Sequence, residues 1–358
     1  MGAPINIIEN WTDIKADMII DVRSPAEFGI DHIPGAINMP VLFDDERAEI
    51  GTIYKQVSAF HARRYGGAIV ARNISNHILT YLQEKSPKFR PIIYCWRGGQ
   101  RSNSFAQICS DIGWQTYVLN GGYKAYRKSV LTDLETKTPS IKLILISGPT
   151  GTGKTRLLKE IQQTGGQILD LEALANHRGS LLGLRPGEKQ PNQKYFESLL
   201  LQSIKKLDQD EPVFVEAESS KIGEIQIPKH LFNLMKTAPL IEIYMPLEKR
   251  AQFLVKEYEY LQTHTEALFK LFDAMFYRHG EDKINIWREL AENKRWHELA
   301  IELICSHYDP AYKSSSMRKL RKIECMVNID IADDASFNKA AEFVLTKYNK
   351  NYLQTFNC

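Results

Sequence analysis

Short apolar runs, each ending in glycine or polar residues, recur along this chain, with helical spacing between them. Residues 18–22, 92–95 and 117–119 are compact apolar runs and predict buried strands. Between them, 72–83 and 102–112 place apolar side chains at helical intervals. Strand and helix in alternation imply a mostly parallel sheet covered on both faces. A polar stretch, 132–140, precedes a new apolar strand at 143–146, a glycine-rich turn and a helix. Further strands are predicted at 167–169, 213–215 and 241–244. From about 248 to 303 the pattern is helical and rich in charge and aromatics. The reading is an α/β protein with domains at 1–135 and 136–358, the second carrying a helical insertion or extension from about residue 248. No internal repeat or low-complexity tract is visible.

Composition narrows the class. A chain of 358 residues suggests two or three domains, and 43% hydrophobic with 25% charged residues is ordinary for a globular protein. No apolar run approaches the ~20 residues of a membrane span, so no membrane association is expected. The N-terminus lacks the basic and apolar regions of a signal peptide. Asn6 stands where myristoylation takes Ser or Thr, and Cys358 is the last residue rather than the fourth from the end. Five scattered cysteines without metal spacing predict reduced thiols and a cytoplasmic protein. The net charge of +3 permits a nucleic-acid partner if positive charge is local. Oligomeric state is not readable.

Two loops carry candidate chemistry. Gly148-Pro-Thr-Gly151-Thr-Gly153-Lys154-Thr155 matches G-x-x-x-x-G-K-[ST] between a predicted strand and a helix. Its glycines let backbone N–H groups converge on phosphate, the helix presents its positive end, and Lys154 adds a full charge. Thr155 is a candidate magnesium ligand. Glu216 and Glu218, at the end of the run 213–215, are weaker candidates, as are Asp170 and Glu172 at another strand end; each is equally well a polar strand terminus.

The second loop is Cys95-Trp-Arg97-Gly-Gly-Gln-Arg101-Ser102, again between strand and helix. Small residues after a strand-end cysteine allow a cradle of N–H groups around sulfur. That cradle, a helix N-terminus and two arginines all favour the thiolate.

The same loop resembles the active-site loop of rhodanese-type sulfurtransferases. Ile20-Asp21-Val-Arg23-Ser-Pro-Ala-Glu27-Phe28, His32-Ile-Pro-Gly35 and Leu119-Asn-Gly-Gly122-Tyr123 resemble other signatures of that family. The resemblance implies that Asp21 and Arg23 support the loop and that His32 is structural. Cys-x₅-Arg also suits cysteine phosphatases, although Tyr94 stands where those usually carry histidine.

A rhodanese-like domain followed by a P-loop domain, together with Asn176-His177-Arg178-Gly-Ser180, Gln193-Lys-Tyr-Phe-Glu197 and Tyr308-Asp-Pro-Ala-Tyr312, is similar to the bacterial tRNA 2-selenouridine synthases. That resemblance implies a rhodanese-like parallel-sheet domain, then a P-loop α/β domain with a helical C-terminal extension. It implies a transferase acting on the wobble 2-thiouridine of tRNA. The base is first S-geranylated from geranyl diphosphate; the geranylthio group is then displaced by selenium from selenophosphate. Cys95, Arg97, Arg101 and Lys154 become the catalytic candidates, with Cys95 carrying selenium as a perselenide. His177 and Arg178 either stand beside the diphosphate or the tRNA or belong to a polar surface loop with a helix cap. No tightly bound organic cofactor is implied. A geranyl chain needs an apolar pocket, which the sequence does not locate.

Arg318, Lys319, Arg321 and Lys322 form a cluster without acids, just beyond Tyr308 and Tyr312. Such a pattern suits tRNA phosphates and splayed bases, or a solvated helix face. The rival readings are a nucleotide-dependent tRNA sulfurtransferase, a cysteine phosphatase or kinase fusion, and a phosphate-sensing regulator.

Overall fold

The computed structural model describes residues 2–178, 189–263, 265–314 and 323–348. The chain folds as two compact units: Met1–Leu134 with Pro191–Gln202, and Glu135–Gln190 with Ser203–Cys358.

The first unit holds β1 (Asn6–Ile8), β2 (Met18–Asp21), β3 (Ile37–Asn38), β4 (Pro91–Tyr94) and β5 (Tyr117–Leu119). They form one parallel sheet in the order β1-β5-β4-β2-β3. Its helices are α1 (Pro25–Ile30), α2 (Asp44–Gln56), α3 (Ala59–His77), α4 (Gln100–Ile112) and α5 (Gly122–Lys137). Ile20, Ile93, Phe105, Cys109 and Val118 sit in the core between sheet and helices. β4 is buried along its whole length, so its C-terminal end delivers Cys95 from a rigid support.

Two departures from the sequence pattern have physical causes. The helix predicted at 72–83 begins at Ala59 and ends in a π-helical turn, Ile78–Leu82. Its apolar signal is diluted by buried polar residues: Asn73 donates to Val41 O at 3.2 Å, and the His77 ring lies 2.9 Å from Pro40 O. The polar stretch 132–140, which carries the division between the units, is itself helical. It continues α5 to Lys137 and a 3-10 turn, anchored by buried Val130, Leu134 and Thr138 while Thr132, Glu135 and Thr136 face water.

The second unit contains β6 (Leu143–Ser147), β7 (Gln167–Leu169), β8 (Val213–Glu216), β9 (Lys221–Ile222), β10 (Ile225–Gln226), β11 (Leu240–Tyr244) and β12 (Ile323–Asn328). The main sheet is parallel in the order β12-β11-β6-β8-β7, and β9 pairs antiparallel with β10. In chain order the helices after α5 are α6 (Lys154–Gln163), α7 (Leu171–Leu174), α8 (Gln193–Ile204, mostly in the first unit), α9 (Lys229–Thr237), α10 (Leu247–Glu257), α11 (Glu259–Thr263) and α12 (Thr265–His279). They continue with α13 (Glu281–Glu292), α14 (Trp296–Leu303), α15 (Asp309–Ser314) and α16 (Asp334–Lys347). Amphipathic α6 turns Leu157, Leu158 and Ile161 onto the sheet, where Phe337 and Val344 of α16 join them. A second core, centred on Phe272, Trp287 and Leu299, holds α12–α14 together.

Most of α8 belongs to the first unit, a return that a linear division at 135/136 does not foresee. Its docking is polar as well as apolar. Ser198 donates to buried Asp31 at 2.8 Å, Arg127 donates to Lys194 O at 3.1 Å and pairs with Glu197, and Tyr195 stacks on His32 at 4.3 Å.

Candidate active site

Cys95 begins the turn between β4 and α4 and is 3% exposed. Its Sγ lies 3.3 Å from Ser102 Oγ. Burial alone would raise the thiol's pKa, but the Ser102 hydroxyl and the N–H groups of Arg97, Ser102 and Gly99 outweigh it and hold the pKa below the ordinary value. Cys109 in the same unit has burial without such donors and is pushed up to about 12. The cradle is therefore what separates a reactive sulfur from an inert one.

Close backbone approach builds the cradle. Tyr123 N donates to Cys95 O at 2.8 Å and Lys124 N to Trp96 O at 3.0 Å. At Gly122 (φ +54°) a Cβ would fall 2.2 Å from Cys95 O, so no other residue fits. The arginines contribute differently from their sequence reading. Arg101 is held by Glu27 Oε2 at 2.9 Å, and Arg97 is exposed, so backbone and hydroxyl donors rather than guanidinium charges hold the thiolate. Glu27 also accepts from Ser24 N, at the first turn of α1.

Asp21 and Arg23 are fully buried behind the loop. Arg23 Nη2 donates to Asp21 Oδ2 and to Asp31 O, both at 2.6 Å, and its guanidinium lies 3.9 Å over the Tyr123 ring. They brace the tyrosine whose N–H fixes the Cys95 carbonyl. His32 is structural: its Nδ1 lies 2.9 Å from Phe28 O.

The phosphate loop connects β6 to α6. Gly151 and Gly153 have positive φ, and at Gly153 (φ +76°) a Cβ would lie 2.4 Å from the Phe337 ring. Lys154 Nζ donates to Gly148 O at 3.1 Å, which keeps the ammonium folded over the loop it would share with a phosphate.

Beside it, Glu172, Glu216 and Glu218 each offer a carboxylate oxygen within 4.8 Å of the others. β8 neighbours β6, with Glu216 in register with Ile146, so the strand delivers its carboxylate next to the loop. Both Glu216 oxygens are buried without a hydrogen-bond partner among the described residues. Burial, then the charge of Glu172, pushes Glu216 up to about 8. Burial raises Glu172 and Glu218 as well, helped at Glu172 by the charge of Glu218 and at Glu218 by the charge of Glu216. Thr155 Oγ1 donates to Glu172 Oε2 at 3.3 Å. An all-oxygen set with orphaned carboxylate atoms suits a hard divalent cation such as magnesium. Asp170 instead caps α7, accepting from Ala173 N at 2.8 Å.

The sequence assigned no role to the brace over this loop. Arg250, 5% exposed, donates to both Asp309 oxygens at 3.0 and 2.5 Å and, through Nε, to Thr150 O at 2.9 Å. Tyr312 donates to Glu242 Oε1 at 2.9 Å, and its hydroxyl also lies 2.9 Å from Ser147 Oγ. The Tyr308-to-Tyr312 motif was the available signal for this brace. Next to Thr150 opens an apolar pocket lined by Leu254, Tyr258, Trp296, Leu299 and Tyr308.

Arg178 pairs with Glu257 Oε1 at 3.1 Å and lies 5.1 Å over Tyr258, a wall of that pocket. His177 packs near Gly223, and burial lowers its pKa. Arg318, Lys319, Arg321 and Lys322 lie outside the described residues.

Residues 7–129 match the rhodanese-like domain family, and residues 141–279 match the family described as the tRNA 2-selenouridine synthase AAA domain. A tRNA 2-selenouridine synthase of a Sulfurovum species is 32% identical over 333 residues, covering 85% of this chain and 90% of its own length. That of Hydrogenovibrio crunogenus is 31% identical over 90% of this chain and 95% of its own. The namesake of Nitrosomonas europaea is 38% identical over 67% of this chain, a match spanning 63% of the relative's length.

Proposed function

The chain belongs to the tRNA 2-selenouridine synthase family, and we propose that it converts wobble 2-thiouridine of tRNA to 2-selenouridine through an S-geranyl intermediate. The observation that carries this reading is the apolar pocket opening at Thr150 of the phosphate loop. A loop for phosphate beside a wall of leucine and aromatics suits a diphosphate ester of an apolar chain such as geranyl diphosphate.

In the first step the thiouridine sulfur attacks C1 of the geranyl group. The C–O bond breaks, diphosphate leaves with the electron pair, and N3 of the base loses a proton. Lys154 and the loop N–H groups neutralise the leaving charge as it develops. A magnesium ion held by Thr155, Glu172, Glu216 and Glu218 would supply further charge neutralisation.

In the second step a selenium nucleophile adds at C2 and geranylthiolate leaves. Selenophosphate supplies selenide when water takes its phosphoryl group, and that course needs no redox partner. Carriage as a Cys95 perselenide balances with a disulfide that accepts two electrons on loading and a thiol that returns them by cleaving the S–Se bond. The perselenide course is the one that uses the cradle, which keeps Cys95 a thiolate ready for selenium. A tRNA substrate and free thiols suit the cytoplasm, and no described helix is long and apolar enough to cross a membrane.

Mass spectrometry of nucleosides tests the reading. Thiolated tRNA with geranyl diphosphate should yield S-geranyl-2-thiouridine, and adding selenophosphate should yield 2-selenouridine. Absence of both, with tRNA-stimulated ATP turnover instead, would replace it by the nucleotide-dependent sulfurtransferase.

A further inference from the structure

We propose that the tip of the α2–α3 hairpin is an RNA-docking surface that grips the phosphates and unpaired bases of the tRNA. The inference rests on the proposed tRNA substrate and adds a surface that this reading leaves unassigned.

Residues 50–83 contain no aspartate or glutamate. Within them Lys55, Arg63 and Arg64 are exposed, and none forms an ion pair among the described residues. Tyr54, Val57 and Phe60, interleaved with these cations, are 61%, 64% and 62% exposed. Packing explains none of this exposure.

The hairpin's own architecture fixes the direction of these side chains. Ser58 caps α3, accepting from His61 N at 3.1 Å. Gly66 lets α3 approach α2: a Cβ there would lie 3.2 Å from Ile50 Cδ1. Ala62, Gly66, Ile69 and Asn73 form the buried stripe, so Phe60, Arg63, Arg64 and Gly67 point to water. The acids of α2 end at Glu49; Glu46 pairs with Arg72 and accepts from Asn73, and Glu49 meets Tyr65, so the segment from 50 to 64 that forms the tip carries positive charge alone.

Three unpaired cations among exposed rings match a polyanion that also offers flat, unstacked faces, which is the chemistry of a tRNA loop. An anionic membrane would call for a continuous apolar helix face. The outward side of α3 instead carries Arg63, Arg64 and Gly67.

The test uses the full chain with Lys55→Gln, Arg63→Gln and Arg64→Gln combined, and separately Tyr54→Ser with Phe60→Ser. Binding of thiolated tRNA is measured from about 50 to 300 mM salt. The charge variant should bind about tenfold or more weakly near 0.15 M, and its slope of log K against log salt should fall by about 2, near 0.7 to 0.9 per lost contact. The aromatic variant should lose affinity with its slope unchanged. Both should bind geranyl diphosphate as the parent does, which shows them folded. Parental affinity and slope in both variants would overturn the proposal. So would loss of binding to phosphatidylglycerol vesicles with tRNA binding intact. A parental chain that binds no tRNA would instead contradict the proposed function.

Discussion

Arg250 ties Asp309 to the phosphate loop: its Nη atoms meet the two carboxylate oxygens at 3.0 and 2.5 Å while its Nε holds Thr150 O at 2.9 Å. One guanidinium thus sets both the shape of the loop and the mouth of the apolar pocket that Thr150 helps line. Asp309→Ala should cost about 2 kcal/mol, below the 3–5 of a fully buried pair because the carboxylate is 23% exposed. Chemical denaturation measures that loss. Diphosphate affinity should fall with it, and unchanged affinity would separate the brace from the site.

Ser102→Ala should raise the Cys95 pKa. The substitution removes the hydroxyl donor nearest the sulfur and leaves the N–H donors in place. A hydrogen bond to a charged group is worth about 1.5 kcal/mol, or about one pH unit. The pH midpoint for modification of Cys95 by a small alkylating reagent should therefore move up by about that much. Cys109, already near 12, should remain inert in both proteins.

Glu216→Gln should weaken magnesium stabilisation. In the metal-free parent, burial holds Glu216 at about 8, against 4.5 for the unperturbed group. The folded chain then keeps a proton that the unfolded chain releases, so stability falls as pH rises from about 4.5 to 8. Magnesium displaces that proton and should raise the parental Tm, most clearly near pH 8. The glutamine variant should show a flatter pH profile and a smaller Tm response. An equal magnesium response in both would remove Glu216 from the cation site.

The anion-handling loops were legible because their chemistry is local. Gly148 to Thr155 and Cys95 to Ser102 each place glycine, cation and helix start within eight residues. Strand 117–119 was legible as a compact apolar run and 167–169 as a short strand candidate. What stayed hidden depends on distant partners. Arg250 and Asp309 lie 59 positions apart, and Glu172, Glu216 and Glu218 were readable as candidates but not the meeting of their two strand ends in one set. The docking of α8 on the first unit rests on Ser198 and Asp31, 167 positions apart. Arg101 reads as a thiolate partner until Glu27, 74 positions away, takes its charge.

Lys154→Ala should lower geranylation a hundredfold or more, on the order of 3 kcal/mol, because it removes the one full positive charge the loop aims at the diphosphate. The comparison is between initial rates of S-geranyl-2-thiouridine formation, with circular dichroism to show that the variant folds. Parental rates from a folded variant would take the loop out of the reaction.

The central claim is a division of labour, with Cys95 serving selenium and the phosphate loop serving geranyl transfer. Geranylation uses the tRNA's own sulfur as nucleophile and needs no protein thiolate. Serine at position 95 keeps size and cradle, but its hydroxyl stays protonated at neutral pH. The decisive measurement is the nucleoside profile of thiolated tRNA treated with geranyl diphosphate, selenophosphate and either the parent or Cys95→Ser. The account predicts that the folded variant accumulates S-geranyl-2-thiouridine and forms no 2-selenouridine. Parental amounts of 2-selenouridine from that variant would contradict it.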